Sequence, residues 1–328
     1  MKLVVMIPAY NEEETIGKVI EEIPVEIEGI DEVEVLVIND GSTDSTVKVA
    51  KEAGADKIIS FKENKGLAPA FKRGLETALA MGADIIVNTD ADFQYNQTQI
   101  PDLIKPILDG EADIVLGSRF KGWIEHMPSQ KRMGNRFATW VTKKASGYPV
   151  TDAQTGFRAF SRDAALRLNV MSDYTYVQET ILQAVNNGLV IKEIPVDFRR
   201  REGESRLISS VFGYARRAAS VIVMTYRDYK PLKVFSMIGG VVILFGFLTG
   251  FKVLVHYLNT GMVTPYLPSA VLTTVLLIVG FQILVFGLVA DMIKNQRRVQ
   301  DEILYRVKKN EFDMVHQKAE NKKIDHKR

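Results

Sequence analysis

Asp84-Ile-Ile-Val-Asn-Thr-Asp-Ala-Asp-Phe-Gln94 is the stretch from which the fold of this chain can be worked out. Its apolar residues predict a buried strand, and Asp90 and Asp92 come where that strand ends. Residues at i and i+2 of an extended segment point the same way, so both carboxylates can share one divalent cation, with Gln94 on the same side. Such a cation suits a diphosphate, and open α/β sheets bind ligands just beyond the ends of their strands. A plain acidic turn is the alternative, and the accompanying motifs argue against it.

The first 120 residues alternate between strand and helix patterns. Val- and Ile-rich runs without strict alternation predict parallel strands covered on both faces, and amphipathic segments lie between them. We expect strands at residues 2–7, 33–39, 57–60, 84–89 and 113–118, and helices at 12–23, 45–53, 67–81 and 97–108. Repeated β-α units predict a doubly wound, mostly parallel, Rossmann-like sheet of the α/β class. In that sheet we expect strand 113–118 to lie beside strand 84–89.

The composition of the chain excludes several classes of protein. A net charge of only +2 over 328 residues gives no sign of nucleic-acid binding. The chain has no cysteine, which excludes disulfides, zinc–thiolate sites and cysteine nucleophiles. The apolar stretch 3–7 is too short for a signal peptide, so the first domain is expected to begin inside the cell. No Gly-x-Gly-x-x-Gly follows the first strand, which argues against a dinucleotide site.

Two long apolar runs in the C-terminal third predict membrane helices. Residues 234–258 and 270–290 are each long enough, because about 20 apolar residues cross a bilayer as a helix. Basic residues flank the pair and the loop 259–268 carries no charge, so the positive-inside rule places both termini in the cytoplasm. The expected location is therefore the cell membrane, with two spans. Gln282, in the middle of the second span, is expected to face a partner helix. A homo-oligomer through the transmembrane helices is a possible partner arrangement.

These patterns divide the chain into four expected parts. They are a cytoplasmic catalytic domain at 1–206, a juxtamembrane amphipathic helix at 207–230, a two-helix transmembrane domain at 234–290 and a cytoplasmic helix and tail at 291–328. Within the first part we also expect helices at 132–146 and 176–187 and an edge strand at 191–198. The amphipathic helix is typical of the membrane interface, with packing on the sheet as the alternative. The polar segment from residue 311 on is expected to be frayed.

Three further polar turns follow predicted strands. Ile7-Pro-Ala-Tyr-Asn-Glu12 ends the first strand, Asn39-Asp-Gly-Ser-Thr-Asp44 ends the second, and Asn64-Lys-Gly66 follows the third. In the second turn, Ser42 or Asp44 can cap the next helix. Capping does not explain Asp40, which is better placed to accept hydrogen bonds from a base or ribose.

The order of the motifs resembles that of a known enzyme family. The three turns, followed by Asp90-Ala-Asp-Phe-Gln94 and Gly117-Ser-Arg119, are similar to those of inverting family-2 glycosyltransferases with a GT-A type fold. Two later motifs resemble the branch of dolichol-phosphate mannose synthases and polyprenyl-phosphate glycosyltransferases with two transmembrane helices. These motifs are Asp152-Ala-Gln-Thr-Gly-Phe157 and Arg201-Glu-Gly-Glu-Ser-Arg206. The likeness runs from residue 1 to about residue 210.

The resemblance implies a hexosyltransferase that moves a sugar from a UDP- or GDP-linked donor to dolichyl or polyprenyl phosphate, with Mg²⁺ or Mn²⁺ as its cofactor. The implied nucleotide-binding residues are Pro8, Tyr10, Asn11, Glu12, Asp40 and Asp90. The implied metal ligands are Asp90, Asp92 and Gln94. The implied acceptor-phosphate residues are Arg119, Lys131, Arg132 and Asn135, and the implied diphosphate loop holds Arg201, Ser205 and Arg206. The expected catalytic residues among them are Asp92, Arg119 and Arg201.

Several alternatives stay open at this point. An arginine buried at position 119 with no phosphate to meet would be a costly unpaired charge, so we expect phosphate binding there, with an acidic neighbour as the alternative. The basic residues at 131–136 also fit a solvated helix face. A processive polysaccharide synthase is a second possible function, although Gln296-Arg-Arg-Val299 does not match the Gln-x-x-Arg-Trp motif of those enzymes. A third is an inactive, membrane-anchored scaffold that binds nucleotide sugars, against which the intact acidic pair argues.

Overall fold

A sheet of seven strands forms the centre of the N-terminal part of the chain. The computed structural model describes residues 1–171, 176–200 and 231–325. The strands are β1 (Lys2–Ala9), β2 (Glu32–Asn39), β3 (Lys57–Ser60), β4 (Ile85–Asn88), β5 (Ile114–Ser118), β6 (Arg158–Ser161) and β7 (Ile191–Pro195). Their order in space is β3-β2-β1-β4-β6-β5-β7. The predicted doubly wound, mostly parallel α/β sheet is confirmed, with the predicted edge strand ending at Pro195.

Helices connect the strands in the order that the sequence predicts. Those of the first 200 residues are α1 (Ile16–Glu21), α2 (Thr46–Glu52), α3 (Leu67–Ala80), α4 (Ile100–Leu108), α5 (Ser129–Ser146), α6 (Arg162–Arg167) and α7 (Val177–Asn186). The first begins later than expected because Glu12 and Thr15 form a hydrogen-bonded turn before it. Two long helices follow, α8 (Pro231–Thr260) and α9 (Leu267–Asp325).

The sheet is covered on both faces, and β1 shows how the sequence produces this. Leu3, Val5 and Ile7 belong to one buried cluster, together with apolar residues of α1 and α4. Val4 and Met6 point the other way and belong to a second cluster, together with residues of α3 and α7. Because alternate side chains of a strand face opposite sides, a strand between two helical layers must be apolar throughout.

One expected neighbour relation in the sheet is wrong. Strand β6 lies between β4 and β5 and runs antiparallel to both, so the strand that precedes Arg119 is not beside the strand that carries the acidic motif. The local sequence gave no sign of β6, because Arg158–Ser161 has only four residues and begins with a charged one. Its pairing with two distant strands is a long-range property that periodicity does not report.

The chain divides into two compact units. One consists of Met1–Leu207 with Asp301–Arg328, and the other of Ile208–Gln300. Helix α9 begins in the second unit and ends in the first. The four-part division of the sequence stays a prediction, and its juxtamembrane helix at 207–230 lies outside the described residues. The expected fraying from residue 311 is not seen, since α9 continues to Asp325.

The second unit contains the predicted membrane spans. Helix α8 and the portion Leu267–Met314 of α9 each contain a stretch that is long and apolar enough to cross a membrane, and the predicted span 270–290 lies within the second. They pack through small residues, since a Cβ added at Gly239 would lie 2.9 Å from the carbonyl oxygen of Gly280. The side chain of Gln282 is exposed. Its packing against a partner helix and a homo-oligomer through the transmembrane helices stay predictions.

Candidate active site

The predicted site residues gather along one edge of the sheet. Strands β1, β2 and β4 run parallel, so their carboxyl ends share this edge. Strand β5 ends at the same edge, because it is antiparallel to β6 and β6 is antiparallel to β4. For the same reason β6 begins there, which brings the segment 152–157 beside the other motifs. Open α/β sheets bind ligands at such an edge.

The turns after β1 and β2 are joined by hydrogen bonds. The backbone N–H of Asn11 donates to Ser42 Oγ at 3.0 Å, and Thr43 N–H donates to Asn11 Oδ1 at 2.8 Å. Glu12 N–H donates to Thr46 Oγ1 at 2.9 Å. Asn11 has a left-handed φ of 54°, a conformation that asparagine tolerates better than most residues. The two turns are therefore held together as one unit at this edge of the sheet.

Asp40 has a structural function that sequence analysis did not give it. Its carboxylate accepts hydrogen bonds from the backbone N–H groups of Lys65 at 2.8 Å and Gly66 at 2.9 Å, immediately before α3. These N–H groups belong to the two residues that precede the helix, and a carboxylate at this position suits the positive end of the helix dipole. Asp44 Oδ1 accepts a hydrogen bond from the N–H of Thr46, the first residue of α2, whose N-cap position is Ser45. Contacts of Asp40, Pro8 and the exposed Tyr10 with a nucleotide stay predictions.

The acidic motif forms a strained turn. Asp92 Oδ1 accepts a hydrogen bond from Gln94 N–H at 3.2 Å, and Phe93 between them has a left-handed φ of 57°. A left-handed backbone costs about 1–2 kcal/mol for a residue with a Cβ, and such strain is concentrated at functional sites. Arg199 holds the turn, since its N–H donates to the carbonyl of Gln94 at 2.7 Å and its carbonyl accepts from Gln94 Nε2.

Arg119 is buried and paired. Its Nε donates to Asp152 Oδ2 at 2.7 Å and its Nη2 to Oδ1 at 2.9 Å. Burial alone would lower the pKa of Arg119. Tyr95, Asp152 and Asp90 outweigh burial and raise that pKa, so the guanidinium stays charged. The argument that this charge would lack a partner is wrong, because Asp152 supplies one. Binding of the acceptor phosphate by Arg119 stays a prediction.

Phe198 brings two of the predicted acceptor residues together. The guanidinium of Arg119 lies 5.1 Å from its ring centre and the ammonium of Lys131 lies 5.7 Å from it. Arg132 is exposed on α5, and Asn135 Nδ2 makes a long 3.9 Å contact with Met127 Sδ. The structure thus groups Lys131 with Arg119, while Arg132 and Asn135 lack such a link. Arg201, Ser205 and Arg206 lie outside the described residues.

Comparison with known proteins agrees with this arrangement. The model of the family described as Glycosyl transferase family 2 matches residues 4–168. The chain belongs to this family. It is a glycosyltransferase, as the sequence motifs indicate.

Two relatives of this glycosyltransferase have named activities. The UDP-N-acetylglucosamine–dolichyl-phosphate N-acetylglucosaminyltransferase of Methanococcus voltae is 35% identical over 215 residues, which cover 58% of this chain and 83% of that protein. The dolichol-phosphate mannosyltransferase of Pyrococcus furiosus is 30% identical over 261 residues, which cover 76% of this chain and 72% of that protein.

A solved structure shows the same fold. It is glucosyl-3-phosphoglycerate synthase from Mycobacterium tuberculosis, in complex with Mn²⁺, uridine diphosphate and phosphoglyceric acid. The two chains superpose with a TM-score of 0.54 at 23% identity, over 68% of this chain and 78% of that chain. At this identity the likeness supports the GT-A type fold and no finer statement.

The acidic motif of the glycosyltransferase fits a divalent cation. Its donors are the carboxylate and amide oxygens that Mg²⁺ and Mn²⁺ take in proteins. No group of three or more carboxylate or imidazole side chains suited to a metal occurs among the described residues. Thr89 Oγ1, next to Asp90, is buried and has no hydrogen-bond partner in the described part of the chain.

Sequence reasoning missed the residues that hold this site together. Glu193 on β7 accepts hydrogen bonds from Thr151 N–H at 2.8 Å and from Asp152 N–H at 3.2 Å. Arg199 forms an ion pair with Glu22 at 2.7 Å in addition to its contacts with the acidic turn. These partners lie far apart in sequence. Only the quoted motif around Asp152 offered a signal, and it did not indicate the pairing with Arg119.

Proposed function

We propose that this enzyme transfers a sugar from a nucleoside diphosphate donor to dolichyl or polyprenyl phosphate at the cytoplasmic face of the cell membrane. The two named relatives, at 35% and 30% identity, carry dolichyl phosphate or dolichol phosphate in their names. Two helices of this chain could cross a bilayer and would keep the enzyme where the phosphate of such a lipid lies. The donor and the acceptor would meet at the carboxyl edge of the sheet.

On the donor side, Asp90, Asp92 and Gln94 would hold Mg²⁺ or Mn²⁺. When bound, the cation would neutralise charge on the leaving diphosphate. The nucleoside would lie on the joined turns after β1 and β2, near Asn11 and Glu12. Thr15 supports this arrangement, because its Oγ1 donates to the carbonyl of Ala91 at 2.7 Å and so joins the start of α1 to the acidic motif.

On the acceptor side, α5 has the character of a surface for anionic lipid. It carries five basic residues and no acidic one over Ser129–Ser146. Three apolar side chains at helical spacing are exposed, namely Met133 at 69%, Phe137 at 42% and Trp140 at 54%. Basic residues beside exposed aromatic ones favour the interface of an anionic membrane. A lipid phosphate held there would lie near Lys131, which shares Phe198 with Arg119.

The reaction would need positioning and neutralisation of charge more than proton transfer. A phosphate monoester carries about −1.5 to −2 charges near neutral pH, so it is a nucleophile without a general base. Arg119 and Lys131 would orient it for in-line attack on the anomeric carbon, which gives inversion. Asp152 fixes the direction of the Arg119 guanidinium. Arg201, together with Ser205 and Arg206, would close over the leaving diphosphate.

The observation that carries this proposal is the presence of opposite charges at one sheet edge. Asp90 and Asp92 suit a cation and a diphosphate, whereas Arg119 and Lys131 suit a second phosphate. Asp90 is close enough to Arg119 to contribute to the raised pKa of that guanidinium. A transferase that joins a donor diphosphate to an acceptor phosphate requires both kinds of charge within reach of one anomeric carbon.

The proposal is tested by product analysis with the full-length enzyme in lipid vesicles. A panel of UDP- and GDP-sugars is supplied with Mn²⁺ and dolichyl phosphate, and lipid-linked sugar is measured by mass spectrometry. Asp92→Ala should lower product formation by about a hundredfold or more, because a ligand of the cation is lost. The matched control is Asp102→Ala, which removes an exposed carboxylate from the first turn of α4.

Binding of the donor gives a second readout. Nucleotide affinity should rise when Mn²⁺ is added to the wild type and to Asp102→Ala, but not when it is added to Asp92→Ala. Full transfer by Asp92→Ala would overturn the metal assignment. A soluble polymer in place of a lipid-linked sugar would instead indicate a polysaccharide synthase.

A further inference from the structure

Gly156 lies directly against the carboxylate of Asp90. A Cβ at position 156 would meet Oδ1 of Asp90 at 2.5 Å and Oδ2 at 2.8 Å. The φ of Gly156 lies outside the left-handed region, so its backbone conformation does not require glycine. Close approach of the Asp90 side chain is therefore the physical reason for a residue without a side chain at this position.

Both peptide groups of Gly156 are bound to the segment that carries Asp90. The N–H of Gly156 donates to the hydroxyl of Tyr95 at 3.0 Å, and its carbonyl accepts from Asn88 Nδ2 at 2.7 Å. Asn88 and Tyr95 stand on either side of Asp90 in sequence. Gly156 is thus fixed relative to Asp90 from two directions.

Arg158 holds the rest of the loop in place. It is fully buried, its Nε donates to the carbonyl of Thr155 at 2.8 Å, and its Nη2 donates to the carbonyl of Ala153 at 3.0 Å. Its Nη1 donates to the carbonyl of Val177 at 2.8 Å, at the start of α7. Burial lowers the pKa of Arg158. A guanidinium bound to three carbonyls joins the loop to α7, so the loop cannot easily move away from Asp90.

We propose that Gly156 is a positioning residue for Asp90. The loop forms a wall that limits the directions open to the Asp90 carboxylate and turns it toward the cation and diphosphate. This inference rests on the proposed function, in which Asp90 takes part in donor binding. Any side chain at position 156 would displace the Asp90 carboxylate, because Tyr95, Asn88 and Arg158 hold the loop that contains residue 156 and prevent it from moving away.

The test uses Gly156→Ala in the full-length protein. Affinity for UDP and GDP, measured by calorimetry with Mn²⁺, should fall about tenfold. A loss of this size is typical when a group that orients a metal ligand is changed. Affinity without metal should change less. The matched control is Gly17→Ala in α1, where the added Cβ would meet Val49 at 3.2 Å and no carboxylate. That variant should bind nucleotide as the wild type does.

A double-variant cycle shows whether the effect passes through Asp90. In an Asp90→Ala background, Gly156→Ala should cause no further loss of nucleotide affinity. The double variant should also melt at a higher temperature than Gly156→Ala alone, because the clash is removed. This comparison decides the matter even if Gly156→Ala folds poorly. Wild-type affinity in Gly156→Ala, or no recovery in the double variant, would overturn the inference.

The same experiment separates this inference from the proposed function. If Asp90→Ala keeps metal-dependent nucleotide binding, the donor assignment itself fails. If Asp90→Ala loses that binding while Gly156→Ala keeps it, the donor assignment stands and the positioning by Gly156 fails.

Discussion

Arg119 and Asp152 form a buried ion pair at the carboxyl edge of the sheet. Two nitrogens of the guanidinium are bound by Asp152, and both side chains are almost fully buried. A buried ion pair contributes little net stability, but removal of one partner leaves the other charge uncompensated. The proposed orientation of a phosphate by Arg119 would therefore require Asp152. Sequence reasoning put Arg119 at the correct edge and could not supply its partner, which lies 33 residues farther on.

Arg119→Ala should lower the free energy of unfolding by about 3 kcal/mol, because Asp152 would stay buried without its cation. Asp152→Ala should cost a similar amount. The double variant should cost less than the sum of the two, since no charge is left alone. Hydrogen exchange of the amides in β4 and β5, which reports opening of the sheet, measures all three.

Strictly additive losses would show that the pair is not coupled in the folded state. Arg119→Lys keeps the positive charge but loses the two hydrogen bonds of the guanidinium to Asp152. Its donor affinity and its rate of lipid-linked product formation together show whether Arg119 acts on the donor or on the acceptor. A loss confined to the product rate would place Arg119 at the acceptor. Equal losses in both would place it at the donor.

Strands and helices whose apolar residues form a clear local pattern could be predicted from the sequence, whereas strand β6 could not. The centres of strands β1, β2 and β5, at residues 3–7, 35–38 and 114–116, are continuous apolar runs, which is the pattern of strands buried on both faces. Strand β6 pairs with both β4 and β5. It begins with Arg158, whose side chain binds loop carbonyls and whose charge hides the strand from a hydropathy pattern. The fold class follows from local patterns, whereas the neighbours of each strand depend on contacts between distant segments.

The C-terminal end of α9 packs on α6 within the first unit. Tyr305 Oη donates to Asp163 Oδ1 at 2.6 Å, and Arg167 donates to Asp163 Oδ2 at 2.7 Å. The guanidinium of Arg167 also lies 4.0 Å from the centre of the Tyr305 ring. Lys308 donates to the carbonyl of Leu168 at 3.1 Å. Residues that were expected to form a cytoplasmic helix after the second span thus belong to the unit that contains the sheet.

This packing should depend on pH. Burial opposes ionisation of Asp163, but the bonds from Tyr305 and Arg167 outweigh it and lower its pKa below the ordinary 3.8. The bond to Asp163 raises the pKa of Tyr305 above the ordinary 10.0. The stability that the ionised Asp163 contributes is therefore present above pH 3.8 and is lost as the pH falls through the pKa of the folded state. The stability that the protonated Tyr305 contributes is present below pH 10.0 and is lost as the pH rises through the pKa of the folded state.

Hydrogen-exchange protection of residues 301–314 should accordingly be greatest between these two values and should fall in acid. Tyr305→Phe, which removes only the hydroxyl, and Asp163→Asn should lower protection at pH 7. The matched control is Arg306→Ala on the same helix, because Arg306 pairs with Glu302 within α9. Protection that is the same in Asp163→Asn and the wild type across this range would refute the role of the carboxylate.

For the whole molecule, the packing of α9 limits the possible topologies. Residues 305–313 make their contacts with the unit that contains the sheet, so the C-terminal end of α9 must lie on the same side of a membrane as the active site. If α8 and α9 each cross once, both ends of the pair lie on that side and the loop between them on the other. The basic flanks of the two helices favour the cytoplasm for the catalytic side.

Single cysteines should reveal this arrangement, because the natural chain has none to interfere. Met262→Cys, in the exposed loop between α8 and α9, should react with an impermeant maleimide applied to intact cells. Glu311→Cys, on the exposed side of the C-terminal segment, should react only after permeabilisation. Labelling in the reverse order would place the active site outside the cell, where nucleotide sugars are scarce. Labelling of both positions in intact cells would show that α8 and α9 do not cross as a pair.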